Sequence, residues 1–227
     1  MSHDQRTSHR EYDVILRSDL SCFAERCFYE LNPQASFLMN WHIEVIAAKL
    51  AAVREGKIRR LIINLPPRHL KSLLASVALP AWCLGHDPSA QILCISYAQD
   101  LADKLARDCR SIMMRPWYQR IFPTRLAPHR HAVQEFMTTR QGYRLATSTG
   151  GVLTAHGTIN PVQRFCGSHD PKDGLSGLDY GYVWTPRRRN PATFNSALRG
   201  AFCRVFRFRP CGGQPCIVDR GREGTPA

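Results

Sequence analysis

Residues 61–76 read LIINLPPRHLKSLLAS, and no other stretch restricts the fold as much. Five apolar or amide residues form a short strand, Pro66-Pro67 stiffens its exit, and Lys71-Ser72 opens an apolar run with helical spacing. A strand, a tight turn and a helix beginning with Lys-Ser is how a phosphate-binding loop is built. Backbone N–H groups and the positive helix end face the phosphates, a lysine reaches the terminal phosphates, and a Ser or Thr hydroxyl meets Mg²⁺. The formal pattern G-x-x-x-x-G-K-[ST] would put glycine at Pro66 and Leu70, and neither is glycine. The missing glycine matters less if Leu70 takes an ordinary backbone conformation. A rigid turn with an exposed Lys71 is the plain structural alternative.

The neighbouring pattern sets this unit in an α/β domain. DVILRSDLSCFAERCFYEL and WHIEVIAAKLAAVREGKIRR have helical spacing, the second running from Trp41 to about Glu55 and ending near Gly56. KSLLASVALPAWCLG predicts a helix kinked at Pro80, QILCIS (91–96) a strand, and AQDLADKLARDCRSIMM a long amphipathic helix. Strands alternating with helices predict a parallel sheet with crossover connections. The fold class expected is α/β, a P-loop NTPase-type parallel sheet flanked by helices, incomplete, with an irregular basic C-terminal tail.

Composition narrows the partners. With 227 residues and 44% hydrophobic content the chain can bury a substantial core. Thirty-one Lys and Arg against 18 Asp and Glu leave a net charge of +13, which favours a polyanionic partner such as nucleic acid or an anionic membrane surface. No apolar run is long enough for a membrane span, and MSHDQRTSHREYD lacks the apolar core of a signal peptide, so a cytoplasmic protein is expected. Nine cysteines at irregular spacing read as free thiols, and Cys211 and Cys216 lack the second ligand pair a zinc site needs.

The blocks 61–113, WHIEVIAAKLAAVREGKIRR upstream and TTRQGYRLATSTGGVLTAHG downstream together resemble the ATPase domain of the large terminase subunit of tailed bacteriophages and prophages. The likeness spans about residues 35–157, and its specificity lies in the order and spacing of several blocks. It implies an ATP-driven motor that packages double-stranded DNA into a procapsid, with the portal protein and the small terminase subunit as partners and no membrane. Carried onto matching positions, Lys71 contacts the β/γ-phosphates and Arg68 helps position the terminal phosphate. Pro67, His69, Leu70, Lys71 and Ser72 line the ATP phosphates, Ser72 binds Mg²⁺, and Trp41 with His42 borders the base. For the last two an ordinary core Trp and a helix-face His are the preferred reading. SYAQDLA would couple nucleotide state to DNA grip, although Tyr97 and Gln99 could simply end a strand and cap a helix.

Past residue 157 the chain departs from that pattern. Where the resemblance calls for an apolar strand ending in two acids, the sequence is LTAHGTINPVQRFCGSHDPKDG, with no apolar strand recognisable before Asp170. Asp170 is therefore a weak metal-ligand candidate and reads more readily as a surface turn. Residues 158–227 hold seven Pro, nine Gly and eleven Lys or Arg against five acids. FCRVFRF and CIVD are its two candidate edge strands. The divisions expected are a helical lead-in (1–34), a partial P-loop ATPase domain (35–157) and a poorly ordered basic tail (158–227) without a nuclease domain, as a shifted reading frame would produce. The expected function is a terminase-like packaging ATPase. The alternatives are a remnant that binds nucleotide or nucleic acid without turnover, and another helicase-like P-loop ATPase.

Overall fold

The computed structural model describes residues 3–58, 60–65, 68–96, 98–131, 134–148, 164–168 and 179–184. Helices α1 (His3–Ser18), α2 (Leu20–Leu31) and α3 (Trp41–Arg54) precede strand β1 (Arg60–Leu65). The first helical pattern is broken at Asp19, whose backbone is extended (φ −116°, ψ 115°). Its carboxylate accepts the Ser21 N–H at 2.6 Å, so a helix N-cap wins over continuous apolar spacing. α3 ends as its sequence suggests, with Gly56 at φ 77° just past the last turn.

After β1 a helix runs from Lys71 to His86. Its residues Leu73–Ala78 are wound as a π-helical segment, and Leu79–His86 continue as α4. The irregularity thus precedes Pro80 instead of being a kink at it. Pro80 lies inside this continuous helix, where its missing N–H removes the α-register bond to the Ser76 carbonyl. Strand β2 (Gln91–Ser96), α5 (Gln99–Met113), α6 (Pro116–Ile121), β3 (Leu126–His131), β4 (Glu135–Thr138), β5 (Tyr143–Ser148), β6 (Arg164–Ser168) and β7 (Asp179–Trp184) follow.

The seven strands form one mixed sheet in the order β1-β7-β6-β2-β5-β4-β3, flanked by helices. This corrects the expectation of a parallel sheet. Only the β2–β5 and β2–β6 pairs are parallel, whereas β1–β7, β6–β7, β4–β5 and β3–β4 are antiparallel. The departure has a local cause: β4 and β5 are joined by a tight turn at residues 139–142, and a hairpin can only pair antiparallel strands. Two further corrections concern the C-terminal region. Arg164–Ser168 is a strand, so the acid at Asp170 does follow one, and β7 is a second strand of the same sheet. Beyond residue 157, Arg164–Ser168 and Asp179–Trp184 are therefore strands of the sheet. FCRVFRF and CIVD lie outside the described residues.

The core lies between the helices and the sheet. On α5, Ala102, Leu105, Ala106, Cys109, Ile112 and Met113 are buried along one face. The small side chains of Ala102, Ala106 and Ala146 let α5 approach β5 closely. Phe23, fully buried, meets Trp117, Tyr118 and Phe122 edge-on at centroid distances of 5.6, 6.3 and 6.0 Å. Cys22, Cys27, Cys83, Cys94 and Cys109 are free thiols, and burial pushes Cys109 up to about 12. Among the described residues no helix is long and apolar enough to cross a membrane.

One titratable contact joins this core to the N-terminal helices. His86 Nε2 lies 2.9 Å from the Arg17 carbonyl, an acceptor, so Nε2 carries the hydrogen. Burial, and then the positive Arg54, hold the His86 pKa below its ordinary value. A lowered histidine pKa gives stability that is complete above about pH 6.5, the unfolded value, and declines as pH falls through the folded one. The denaturant midpoint is expected to drop between pH 7.5 and 5.5, and His86→Gln to flatten that drop. An unchanged slope in the variant would refute the assignment to His86.

Candidate functional site

The site begins where β1 leaves the sheet. Leu61, Ile63 and Leu65 are buried while Ile62 is 39% exposed, the alternation of a strand covered mainly on one side. Pro66 and Pro67 lie outside the described residues. Arg68 and Leu70 both have left-handed backbones, at φ 67° and 58°. This corrects the expectation for Leu70: the position where glycine was missing does adopt the conformation that favours glycine. Leu70 is held there by packing against the hydrophobic core and by the Leu74 N–H, which donates to its carbonyl at 2.9 Å and so closes the first helical turn. Each such non-glycine residue costs about 1–2 kcal/mol, a cost that clusters at functional loops.

Lys71 follows at 5% exposure, a buried charged side chain at the start of the helix. Ser72 is half-buried in an α conformation (φ −66°, ψ −35°). Arg68 and His69 are exposed on the loop. The His69 ring lies 5.5 Å from His42, and His42 lies 6.1 Å from Trp41. Trp41 is 55% exposed, so it is not the core tryptophan that the plain reading preferred. Burial, and then the neighbouring His69, hold the His42 pKa down. Loop, imidazoles and indole therefore form one exposed aromatic and basic surface beside Lys71 and Ser72.

Strand direction gathers further groups at the same edge of the sheet. β1 is antiparallel to β7 and β7 to β6, so β1 runs in the same sense as β6, β2 and β5. Their carboxyl ends, at Leu65, Ser168, Ser96 and Ser148, face one way, and in open α/β sheets ligands bind beyond such ends. Asp170 comes two residues after β6 in the sequence and lies outside the described residues, as does Tyr97. Gln99, at the start of α5, accepts the Ser148 N–H at 3.0 Å through Oε1 and donates to Asp103 at 2.7 Å through Nε2. It ties the end of β5 to the turn after β2, a more specific role than a helix cap. Among the described residues no group of three His, Cys, Asp or Glu side chains could hold a metal ion. The Ser72 hydroxyl, in the first turn after a buried lysine, fits an Mg²⁺ accompanied by phosphate oxygens and water, the usual company of that ion.

Sequence reasoning passed over Arg144. It is fully buried on β5, and its Nη2 donates to the Ser76 carbonyl at 3.1 Å, in the helix that Lys71 opens. The available signal was a lone arginine in YRLATS, the strand next to central β2.

The left-handed loop gives a direct test. Arg68→Gly relieves backbone strain at an exposed position with no apolar packing to lose, and should stabilise the chain by about 1 kcal/mol, or about 2–4 °C. An unchanged or lowered thermal midpoint would show that the loop conformation is not strained. No protein-family model, curated protein or solved structure matches the chain.

Proposed function

We propose that the chain binds Mg-ATP at the loop between β1 and α4 in the manner of a P-loop NTPase. Its closest functional reading is a terminase large subunit-like ATPase that powers packaging of double-stranded DNA. The observation carrying this reading is Lys71-Ser72 at the first turn of a helix directly after β1, with the loop residue Leu70 in the left-handed conformation. In that arrangement the Lys71 ammonium and the helix N-terminus attract the β- and γ-phosphates, and Arg68 sets the terminal phosphate from the exposed side. The Ser72 hydroxyl supplies one oxygen to Mg²⁺, which neutralises charge on the transferring phosphoryl group when bound. Trp41, His42 and His69 offer ring faces for a base. A net charge of +13 supports a DNA partner; portal protein and small terminase subunit are proposed through the resemblance alone.

A second reading, nucleotide binding without turnover, is favoured by the sequence of β6. RFCGS carries no carboxylate to hold Mg²⁺ or orient water at the strand end. Calorimetric titration of the full chain with Mg-ATP, followed by phosphate release with and without double-stranded DNA, separates the two. DNA-stimulated turnover supports the motor, and binding without turnover supports the second reading. Absence of binding would overturn the site itself.

A further inference from the structure

Arg144 is a charged side chain inside the sheet-to-helix core. It is fully buried, and its Nε and Nη1 have no hydrogen-bond partner among the described residues. A guanidinium removed from water is costly unless its donors are used. Its Nη2 donates to the carbonyl of Ser76, 68 residues earlier in the chain, at 3.1 Å, and the guanidinium also bonds the Cys94 side chain and interacts with the Asp108 carboxylate. Ser76 lies inside the π-helical segment Leu73–Ala78, which starts directly after Ser72. Within that segment the Leu79 N–H donates to Leu74, five residues back, so one more residue is accommodated than in an α-turn. Pro80 has no N–H with which to bond Ser76 in the α register. The guanidinium reaches that carbonyl from the sheet. β5 itself is fixed beyond Arg144 by the Gln99–Ser148 bond.

We infer that Arg144 is a positioning residue for the phosphate loop: by tethering Ser76 to the sheet it keeps the Leu73–Ala78 segment π-wound and so sets the direction in which Lys71 and Ser72 leave the helix. An α-helix turns once per 3.6 residues. Rewinding the segment would change the rotation of Lys71 and Ser72 relative to α4, whose packing against the core is fixed by buried Trp82, Cys83 and Leu84. The site would then lose alignment although each of its residues remained present. This inference rests on the Mg-ATP site proposed above.

The test compares the full wild-type chain with Arg144→Met, of similar length but uncharged. Two quantities are read: affinity for ATP with Mg²⁺ and with EDTA, and hydrogen exchange across residues 73–79 without nucleotide. Mg-ATP affinity is expected to fall about tenfold, the loss of one hydrogen bond from a charged donor. Affinity in EDTA should fall less, because Ser72 acts through the metal, and exchange at 73–79 should quicken. A lowered melting midpoint with wild-type Mg-ATP affinity and unchanged exchange would mean an ordinary structural arginine and would overturn the inference. Should Arg144→Met not fold, Arg144→Lys decides: weaker Mg-ATP binding with faster exchange supports the inference, and wild-type values overturn it. If the wild-type chain binds no Mg-ATP, the proposed function fails separately. Exchange alone then judges the tether, and unchanged protection at 73–79 in the variant overturns it.

Discussion

Gly142→Ala is expected to lower stability by about 3 kcal/mol, the upper part of the range for a forced steric clash. Gly142 closes the turn between β4 and β5, where the hairpin lies against the residues leading into β2. A Cβ there would stand 2.7 Å from the Ala90 carbonyl oxygen and closer still to that of Pro88. These are backbone atoms, which no side-chain rotation can move aside. They are also in use: the Gly142 N–H donates to Pro88 O at 3.1 Å, the Tyr143 N–H to Ala90 O at 3.0 Å, and the Thr138 hydroxyl to Pro88 O. Relieving the clash therefore breaks the bonds that dock the hairpin. For a chain of this size the thermal midpoint should fall by about 6–12 °C. A shift below about 2 °C would show that the hairpin can slide off its support at little cost.

Lys71→Ala is expected to have the largest effect on ligand binding, a loss of about 100-fold in Mg-ATP affinity, corresponding to one or two charge-assisted hydrogen bonds to phosphate. Burial makes the effect large. At 5% exposure the ammonium is little screened by water, and its field acts on whatever occupies the helix N-terminus. Lys71→Arg should recover only part of the affinity, since a planar, forked guanidinium places its donors differently from a compact ammonium. Titration with ATP and with inorganic phosphate checks the assignment. If Lys71→Ala binds both as the wild type does, the loop is not the phosphate site.

The parts of this fold visible in the sequence are those specified by neighbours in the chain. β1, β2, α3 and α5 stand close to where their periodicity puts them, because an apolar stripe or an apolar run is a local signal. Asp19 shows the limit: one capping carboxylate divides a helical pattern in two. β6 and β7 escaped notice for a different reason. RFCGS and DYGYVW are short and mixed in polarity, and become strands by pairing with each other, with β2 and with β1. Non-local pairing of this kind leaves little trace in a window of ten residues. In the site, Lys71 and Ser72 were legible as a motif. The left-handed Leu70 was not, since packing against the core imposes a conformation its residue type disfavours. Arg144 was hidden by the same non-locality, its partner being 68 residues away.

The order of the strands makes the loop dependent on β6 and β7. β1 reaches β2 only across β7 and β6, a span of three strand spacings, or about 14 Å. β6 and β7 therefore act as the splice between the strand that leads into the Lys71 loop and the rest of the sheet. A chain cut before β6 would keep its whole phosphate-loop motif, yet β1 would have no ladder to hang from.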